Sequence, residues 1–168
     1  MTPRAVIVGP PGAGKTSVGT ALAEHLGVPF LDTDAKIVAD QGRSIGDIFT
    51  TDGEPTFRAI EEQAVADALV NHDGILALGG GAVLSAATRE RLAEHRVVLL
   101  TVGLAEGFRR TGMSTARPLL AGVNPRATFK ALLDERMPIY REVAAVEVAT
   151  DDLDVQGVVK EVLAHLAG

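Results

Sequence analysis

The sequence contains no cysteine, which excludes disulfides, thiolate zinc sites, iron–sulfur clusters and a cysteine nucleophile. Aromatic residues make up only 4%, with no tryptophan and a single tyrosine, so a surface that stacks nucleic-acid bases is not expected. No window approaches the roughly 20 apolar residues of a membrane span, and the first apolar run is too short for a secretory signal. We therefore expect a cytoplasmic protein that binds neither nucleic acid nor membrane.

Basic residues are fewer than acidic ones, 16 against 22, which gives a net charge of −6. This balance disfavours a broad anion-binding surface. Half of the arginines nevertheless fall between Arg109 and Arg141, so a local anion-binding site in that region is compatible with the overall negative charge. The 168 residues, 46% of them hydrophobic, predict one domain over residues 1–168 and, by default, a monomer.

Short apolar runs alternate with longer helical patterns, which is typical of βαβ units around a parallel sheet. The expected strands are Ala5–Val8, Val28–Leu31, Gly74–Leu78, Val97–Val102 and Val146–Ala149. A first helix carries Val18, Leu22 and Leu26 and stops at Gly27; the others are expected at 35–41, 45–50, Glu54–Val70, 86–95, Ala105–Arg110, Pro125–Tyr140 and Val155–Leu166. The pattern predicts a three-layer α/β domain, with a mobile loop at about 112–124.

The segment from Gly9 to Thr16, GPPGAGKT, matches the phosphate-loop pattern G-x-x-x-x-G-K-[ST] between a buried strand and an amphipathic helix. Its glycines bring backbone amides against phosphate oxygens, and the helix N-terminus adds partial positive charge. Lys15 is expected to contact the terminal phosphates, and the Thr16 hydroxyl to ligate Mg²⁺. A glycine-rich turn without a nucleotide is the alternative, but pattern and context together predict a nucleoside triphosphate site.

Two further motifs follow predicted strands, at the sheet edge where ligands bind in open α/β folds. In Asp32-Thr33-Asp34, Asp32 could hold the magnesium shell, and Asp34 could orient an attacking hydroxyl and accept its proton. The alternative is that Asp34 caps the next helix. Gly79-Gly80-Gly81 would let the backbone approach a ligand closely, although a plain tight turn is also compatible with it.

Three arginines are candidate ligand contacts. Arg58 precedes Glu61 and Glu62 by three and four positions, so a surface ion pair is the alternative to a ligand role. Arg136 has uncharged residues at its i−4 and i+4 positions, which favours binding of a ligand carboxylate through its planar fork. Arg117 lies in the predicted loop, where a swinging guanidinium could meet the transferred phosphate.

Taken together, these motifs resemble the shikimate kinase family in order and spacing, over essentially the whole chain. The matching segments are the phosphate loop, Leu31-Asp32-Thr33-Asp34, Ser44-Ile45-Gly46-Asp47-Ile48-Phe49, Gly53-Glu54, Phe57-Arg58, Glu61, Gly79-Gly80-Gly81 and Arg117-Pro118-Leu119-Leu120. The resemblance implies a nucleoside-monophosphate-kinase-like P-loop fold with strand order 2-3-1-4-5 and a mobile lid at about 112–124. It also implies transfer of the γ-phosphoryl group of ATP to the 3-hydroxyl of shikimate, in the pathway to chorismate and the aromatic amino acids.

The resemblance further assigns roles to individual residues. Catalysis is implied for Lys15, Asp34 and Arg117. Nucleotide binding is implied for Gly12, Ala13, Gly14, Lys15, Thr16, Ser17, Arg110 and Arg117, with Arg110 beside the adenine. Shikimate binding is implied for Asp34, Arg58, Gly79, Gly80, Gly81 and Arg136, within a segment of about 33–61 and beyond it. Thr16 would bind Mg²⁺ directly and Asp32 through water, while Glu61 would hold Arg58 in place.

The sequence departs from the family in the loop before the last helix, where some members carry an arginine near the adenine and this chain has Asp151-Asp152-Leu153-Asp154. ATP affinity or base preference could therefore differ. Two other functions stay open: a related kinase acting on another small hydroxy-acid such as gluconate, and a catalytically silent ATP-binding module that regulates a partner.

Overall fold

A single parallel sheet organises the protein, whose computed structural model describes residues 2–111 and 125–166. The strands are β1 Ala5–Val8, β2 Phe30–Asp32, β3 Ile75–Ala77, β4 Val97–Thr101 and β5 Val146–Ala149. They pair in parallel in the order β2-β3-β1-β4-β5, which confirms the predicted order. Within the described ranges, no helix is both long and apolar enough to cross a membrane.

Helices cover both faces of this sheet. They are α1 Lys15–Leu26, α2 Thr33–Gln41, α3 Ile45–Asp52, α4 Glu54–Asn71, α5 Ala86–Leu92, α6 Leu104–Thr111, α7 Pro125–Val143 and α8 Val155–Leu166, with a short 3-10 helix at Ala82–Leu84. The predicted lid, 112–124, lies outside the described residues, and so does Arg117.

The central strand β1 is buried along its whole length, as expected for a parallel strand covered on both faces. Ala5 and Ile7 pack into a core formed with α1 and α8. Val6 and Val8 point to the other face and pack against α4, α5 and α7. This alternation produces the three layers that the sequence predicts.

A smaller apolar cluster joins α2, α3 and α4 beside the sheet. Ile37, Ile48, Phe57 and Ala64 are its buried members. The cluster fixes the start of α4, and therefore Arg58, relative to the end of β2. Its members other than Ala64 lie in the segment of about 33–61 that is predicted to bind the acceptor.

Some element boundaries differ from those expected. Val28 does not belong to β2, because its amide donates to Ala23 O at 3.0 Å and closes the turn that ends α1 at the left-handed Gly27. Helix α5 ends at Leu92 instead of about residue 95, because the amides of Ala93 and His95 donate to carbonyls three residues back and form tighter turns. The 3-10 helix was not predicted.

Strand register brings the predicted motifs to one edge of the sheet. Ile7 of β1 is level with Ala77 of β3, and Ala77 is level with Asp32 of β2. The loops after these strands therefore meet at their carboxyl ends. At the opposite edge, the Arg96 guanidinium donates to Leu166 O at 2.7 Å and holds the end of α8 beside the start of β4.

Candidate active site

The phosphate loop wraps the N-terminus of α1. Gly12 and Gly14 have φ values of 85° and 86°, which side-chain-bearing residues rarely adopt. Gly14 caps α1 without a side-chain hydrogen bond, so the first amides of the helix can meet an anion. The Lys15 ammonium lies over the loop and donates to Gly9 O at 2.9 Å and Pro10 O at 3.1 Å.

Asp32 at the end of β2 connects the phosphate loop to the start of α2. The Thr16 hydroxyl donates to Asp32 Oδ2 at 2.7 Å, and Asp32 Oδ1 accepts the amides of Asp34 at 2.8 Å and Ala35 at 3.4 Å. Asp32 is therefore the N-cap of α2, and the alternative in which Asp34 caps that helix is wrong. The hydroxyl and carboxylate oxygens that meet here are the ligand type that Mg²⁺ prefers.

Asp34 instead lies against the glycine turn after β3. A Cβ placed on Gly79 would come within 2.5 Å of Asp34 Oδ1, so glycine is needed for this close approach. The Gly79 amide donates to the buried Thr33 hydroxyl at 3.1 Å and ties the turn to the start of α2. The triple glycine is therefore more than a tight turn, because its backbone packs against the Asp34 carboxylate.

The same turn also approaches both predicted arginines. A Cβ on Gly81 would collide with the Arg58 guanidinium, and one on Gly80 would lie 3.6 Å from Nη1 of Arg136. The structure therefore brings Asp34, Arg58 and Arg136 together over Gly79-Gly80-Gly81, although they are far apart in sequence.

Arg58 is held by carboxylates and aromatic rings. Its Nη1 donates to Glu61 Oε1 at 2.8 Å, its Nε donates to Glu54 Oε2 at 3.2 Å, and its guanidinium lies 5.3 Å from the Phe57 ring centroid. The ion pair considered in the sequence analysis therefore exists, but its Glu61 partner is only 3% exposed. Glu62 has a different partner, the Ser85 hydroxyl at 2.8 Å.

Glu61 is a buried acid that interacts with Arg58, Asp34 and Arg136. Burial raises the pKa of its carboxyl to about 7, an effect that the charge and hydrogen bond of Arg58 oppose and that the negative charge of Asp34 reinforces. Arg136, which is itself buried, also lowers this pKa. One buried acid therefore interacts with all three groups.

Arg110 connects the phosphate loop to the end of the sheet. Its Nη1 donates to Gly12 O at 2.8 Å and to Thr150 Oγ1 at 3.2 Å, and its Nη2 donates to Thr150 O at 3.2 Å. The neighbouring acidic loop has structural partners, because Asp151 accepts the Gly103 amide at 2.9 Å and Asp154 accepts the Gly157 amide at 2.7 Å.

Three residues in this arrangement were missed by sequence reasoning: Thr33, Tyr140 and Thr150. Thr33 was visible inside a motif but had no assigned role. Tyr140 was noted only as an uncharged neighbour of Arg136, although a lone tyrosine one helical turn from a candidate ligand arginine was a usable signal. Nothing in the local pattern pointed to Thr150.

A phosphate-binding loop thus stands next to a pocket wall of two arginines and one carboxylate, at the carboxyl edge of a parallel sheet. This arrangement, on this strand order, defines a P-loop kinase that acts on a small molecule.

Comparison with known proteins narrows the class. The family model described as shikimate kinase matches residues 11–167, and the chain belongs to the shikimate kinase family. A shikimate kinase from Saccharopolyspora erythraea is 66% identical over 97% of this chain and 93% of its own length. The structure of a shikimate kinase from Acinetobacter baumannii in complex with shikimate has a TM-score of 0.95 and 36% identity, over 99% of this chain and 93% of that one.

A gluconokinase from Sinorhizobium meliloti is much less similar. It shares 22% identity with this chain at a TM-score of 0.52, over 97% of this chain and 90% of that one. This likeness shows a common fold alone.

Proposed function

We propose that this chain transfers the γ-phosphoryl group of ATP to the 3-hydroxyl of shikimate, giving shikimate 3-phosphate and ADP, in the pathway to chorismate. Membership of the shikimate kinase family supports this proposal. The observation that carries it is the convergence of Asp34, Arg58 and Arg136 on Gly79-Gly80-Gly81 beside the phosphate loop. Shikimate is a small polyhydroxylated ring with one carboxylate, and such a set of groups is complementary to it.

The two arginines recognise the acceptor carboxylate. Their guanidiniums present planar pairs of N–H donors, which match a carboxylate in a bidentate manner. Because Arg58 is anchored by Glu61 and Glu54, little side-chain freedom is lost when it binds. The close packing of the glycine turn lets the ring lie against backbone, so that the acceptor is oriented as well as bound.

Asp34 acts at the reacting hydroxyl. The hydroxyl oxygen forms a bond to the γ-phosphorus, the bond from that phosphorus to the β–γ bridging oxygen breaks, and ADP leaves. The proton released from the hydroxyl goes to the Asp34 carboxylate. The closeness of Asp34 to Gly79 supports this role, because Arg58 and Arg136 approach the same glycine turn.

The phosphate loop binds and orients the donor. Gly12, Ala13, Gly14 and Ser17 supply backbone around the phosphates, and Lys15 stabilises the negative charge that develops during transfer. Arg110, through its bonds to Gly12 and Thr150, forms the wall on the adenine side. Arg117 is proposed to reach the phosphates from the segment 112–124.

Thr16 and Asp32 are proposed to hold Mg²⁺, Thr16 directly and Asp32 through water. The ion would neutralise phosphate charge when bound. Among the described residues no cluster of three or more acidic, histidine or cysteine side chains could hold a metal by itself, so the fit rests on two protein oxygens together with the nucleotide phosphates. We further propose that the protein works as a single-domain monomer in the cytoplasm.

The test is ADP release with Mg-ATP, measured by a coupled assay with shikimate, gluconate or no acceptor. We expect ADP formation that depends on shikimate. Turnover with gluconate alone would identify a different hydroxy-acid kinase. ATP binding without turnover on any acceptor would identify a regulatory module.

A variant pair sharpens this experiment. Asp34→Asn should lower kcat by about a hundredfold or more while ATP binding, measured by calorimetry, survives. Asp40→Asn makes the same change on the exposed last turn of α2, where Asp40 pairs with Lys36, and should keep full activity. Equal losses in the two variants, or loss of ATP binding in Asp34→Asn, would contradict the role given to Asp34.

A further inference from the structure

Tyr140, the single tyrosine of the sequence, is fully buried in α7, one helical turn from Arg136. Arg136 belongs with Asp34 and Arg58 to the proposed acceptor wall. Its hydroxyl donates a hydrogen bond of 2.6 Å to Gly80 O, the middle carbonyl of the glycine turn. The two residues are 60 positions apart in the chain. A short hydrogen bond between a core phenol and this carbonyl fixes the orientation of the peptide that follows Gly80.

Arg136 is the charged neighbour of this phenol. Tyr140 lies one helical turn after Arg136 on α7, so the two side chains share one face of the helix. Because the phenol proton goes to Gly80 O, the phenol oxygen keeps its lone pairs available to the Arg136 guanidinium, which can only donate. Burial raises the pKa of Tyr140 to about 12, so the hydroxyl stays protonated and remains a donor at neutral pH.

We propose that Tyr140 is a positioning residue for the acceptor, whose hydroxyl fixes the Gly80 peptide beside the Arg136 guanidinium. In a trans peptide the C=O and the following N–H point in opposite directions. The bond to Gly80 O therefore turns the Gly81 amide away from α7. The Gly80 peptide and Arg136 both belong to the proposed shikimate site, so this inference rests on the proposed function.

The phenol ring alone could be explained by packing, because Tyr140 belongs to the core between the sheet and α7. The hydroxyl is not explained in this way. A phenylalanine would keep the ring in the core and would avoid burying a polar group, yet the structure has a hydroxyl that donates to the glycine turn of the proposed shikimate site.

Tyr140→Phe removes that hydroxyl and little else. We expect the KM for shikimate, and its Kd measured by calorimetry, to rise about tenfold, the order expected when a hydrogen bond is lost and its carbonyl acceptor is left unsatisfied. The KM for ATP should stay within about twofold. A Tyr140→Leu variant, which also removes the ring, should raise the shikimate KM at least as much if it folds.

Val162→Ala is the control for a general loss of stability. Val162 is fully buried in the core on the opposite face of the sheet, so its truncation should lower the midpoint of thermal unfolding while leaving both KM values unchanged. An unchanged shikimate KM and Kd in Tyr140→Phe, or equal rises for ATP and shikimate, would overturn the inference. Wild-type protein without shikimate-dependent turnover would instead refute the proposed function.

Discussion

At the scale of single side chains, Glu61 is the buried acid that interacts with all three charged groups of the proposed acceptor wall, Arg58, Asp34 and Arg136. Burial raises the pKa of its carboxyl to about 7 from an ordinary value of 4.5. Between these two pH values the folded protein keeps a proton that the unfolded chain has already released. The free energy of unfolding therefore falls as the pH rises through this window and levels off above about 7.

Glu61→Gln should remove this pH-dependent decrease in the free energy of unfolding. The pKa difference of Glu61 between the folded and unfolded states corresponds to about 3 kcal/mol at most. Urea denaturation between pH 4.5 and pH 8 should therefore show a clearly shallower pH dependence of stability in the variant than in the wild type. Glu54→Gln is the matched control, because it removes the other, half-exposed carboxylate partner of Arg58 and should retain the fall. If both variants track the wild type, burial does not raise the pKa of Glu61.

Among single residues, the charged residues of the candidate site are easier to predict from the sequence than the residues whose hydrogen bonds hold that site in position. Lys15, Asp34 and Arg58 stand in motifs whose spacing reflects their chemistry. Thr33 and Tyr140 act through partners 46 and 60 positions away. Such contacts arise from strand order and helix packing, and no local periodicity encodes them.

The glycine turn is the element that gathers the acceptor groups, and its three positions are not equivalent. Gly81 leaves no room for a Cβ beside the Arg58 guanidinium, whereas a Cβ on Gly80 would meet only ordinary contacts at 3.4 Å or more. We expect Gly81→Ala to displace Arg58 and raise the KM for shikimate by about tenfold, in line with the loss of one partner of a hydrogen-bonded charge pair.

Gly80→Ala is the matched change in the neighbouring position and should raise that KM less. Steady-state kinetics at saturating ATP measures both variants. A larger effect of Gly80→Ala than of Gly81→Ala would show that steric exclusion of Arg58 is not what requires glycine at position 81.

Element types were predictable where the apolar pattern was strong: a short, almost fully apolar run in β1, and the helical spacing of apolar residues in α1 and α8. Their ends were less predictable, because backbone hydrogen bonds at a terminus compete over one or two residues. Val28 illustrates this competition: its apolar side chain favours a strand, but its amide completes the turn after α1. The 3-10 helix at Ala82–Leu84 is only three residues long and offers no period to detect.

For the molecule as a whole, stability should reside in the two core layers on either side of the sheet. Leu99 of β4 is fully buried in the layer shared with α4 and α7. Leu99→Ala should reduce the free energy of unfolding by about 2–5 kcal/mol, through lost apolar burial and the cavity left behind.

Leu153→Ala makes the same chemical change in the loop before α8, where the side chain is 38% exposed, and should cost less than about 1 kcal/mol. Urea denaturation monitored by circular dichroism measures both variants, since the chain has no tryptophan to report by fluorescence. Similar costs for the two leucines would contradict the layered core.

The bond between Arg96 and Leu166 O has a practical consequence for handling the protein. It fixes the end of α8 at the edge of the sheet opposite to the phosphate loop. A biotin or a surface linker attached near Leu166 would therefore leave the mouth of the site pointing away from a sensor chip. Ligand titrations on immobilised protein should then reproduce the affinities measured in free solution.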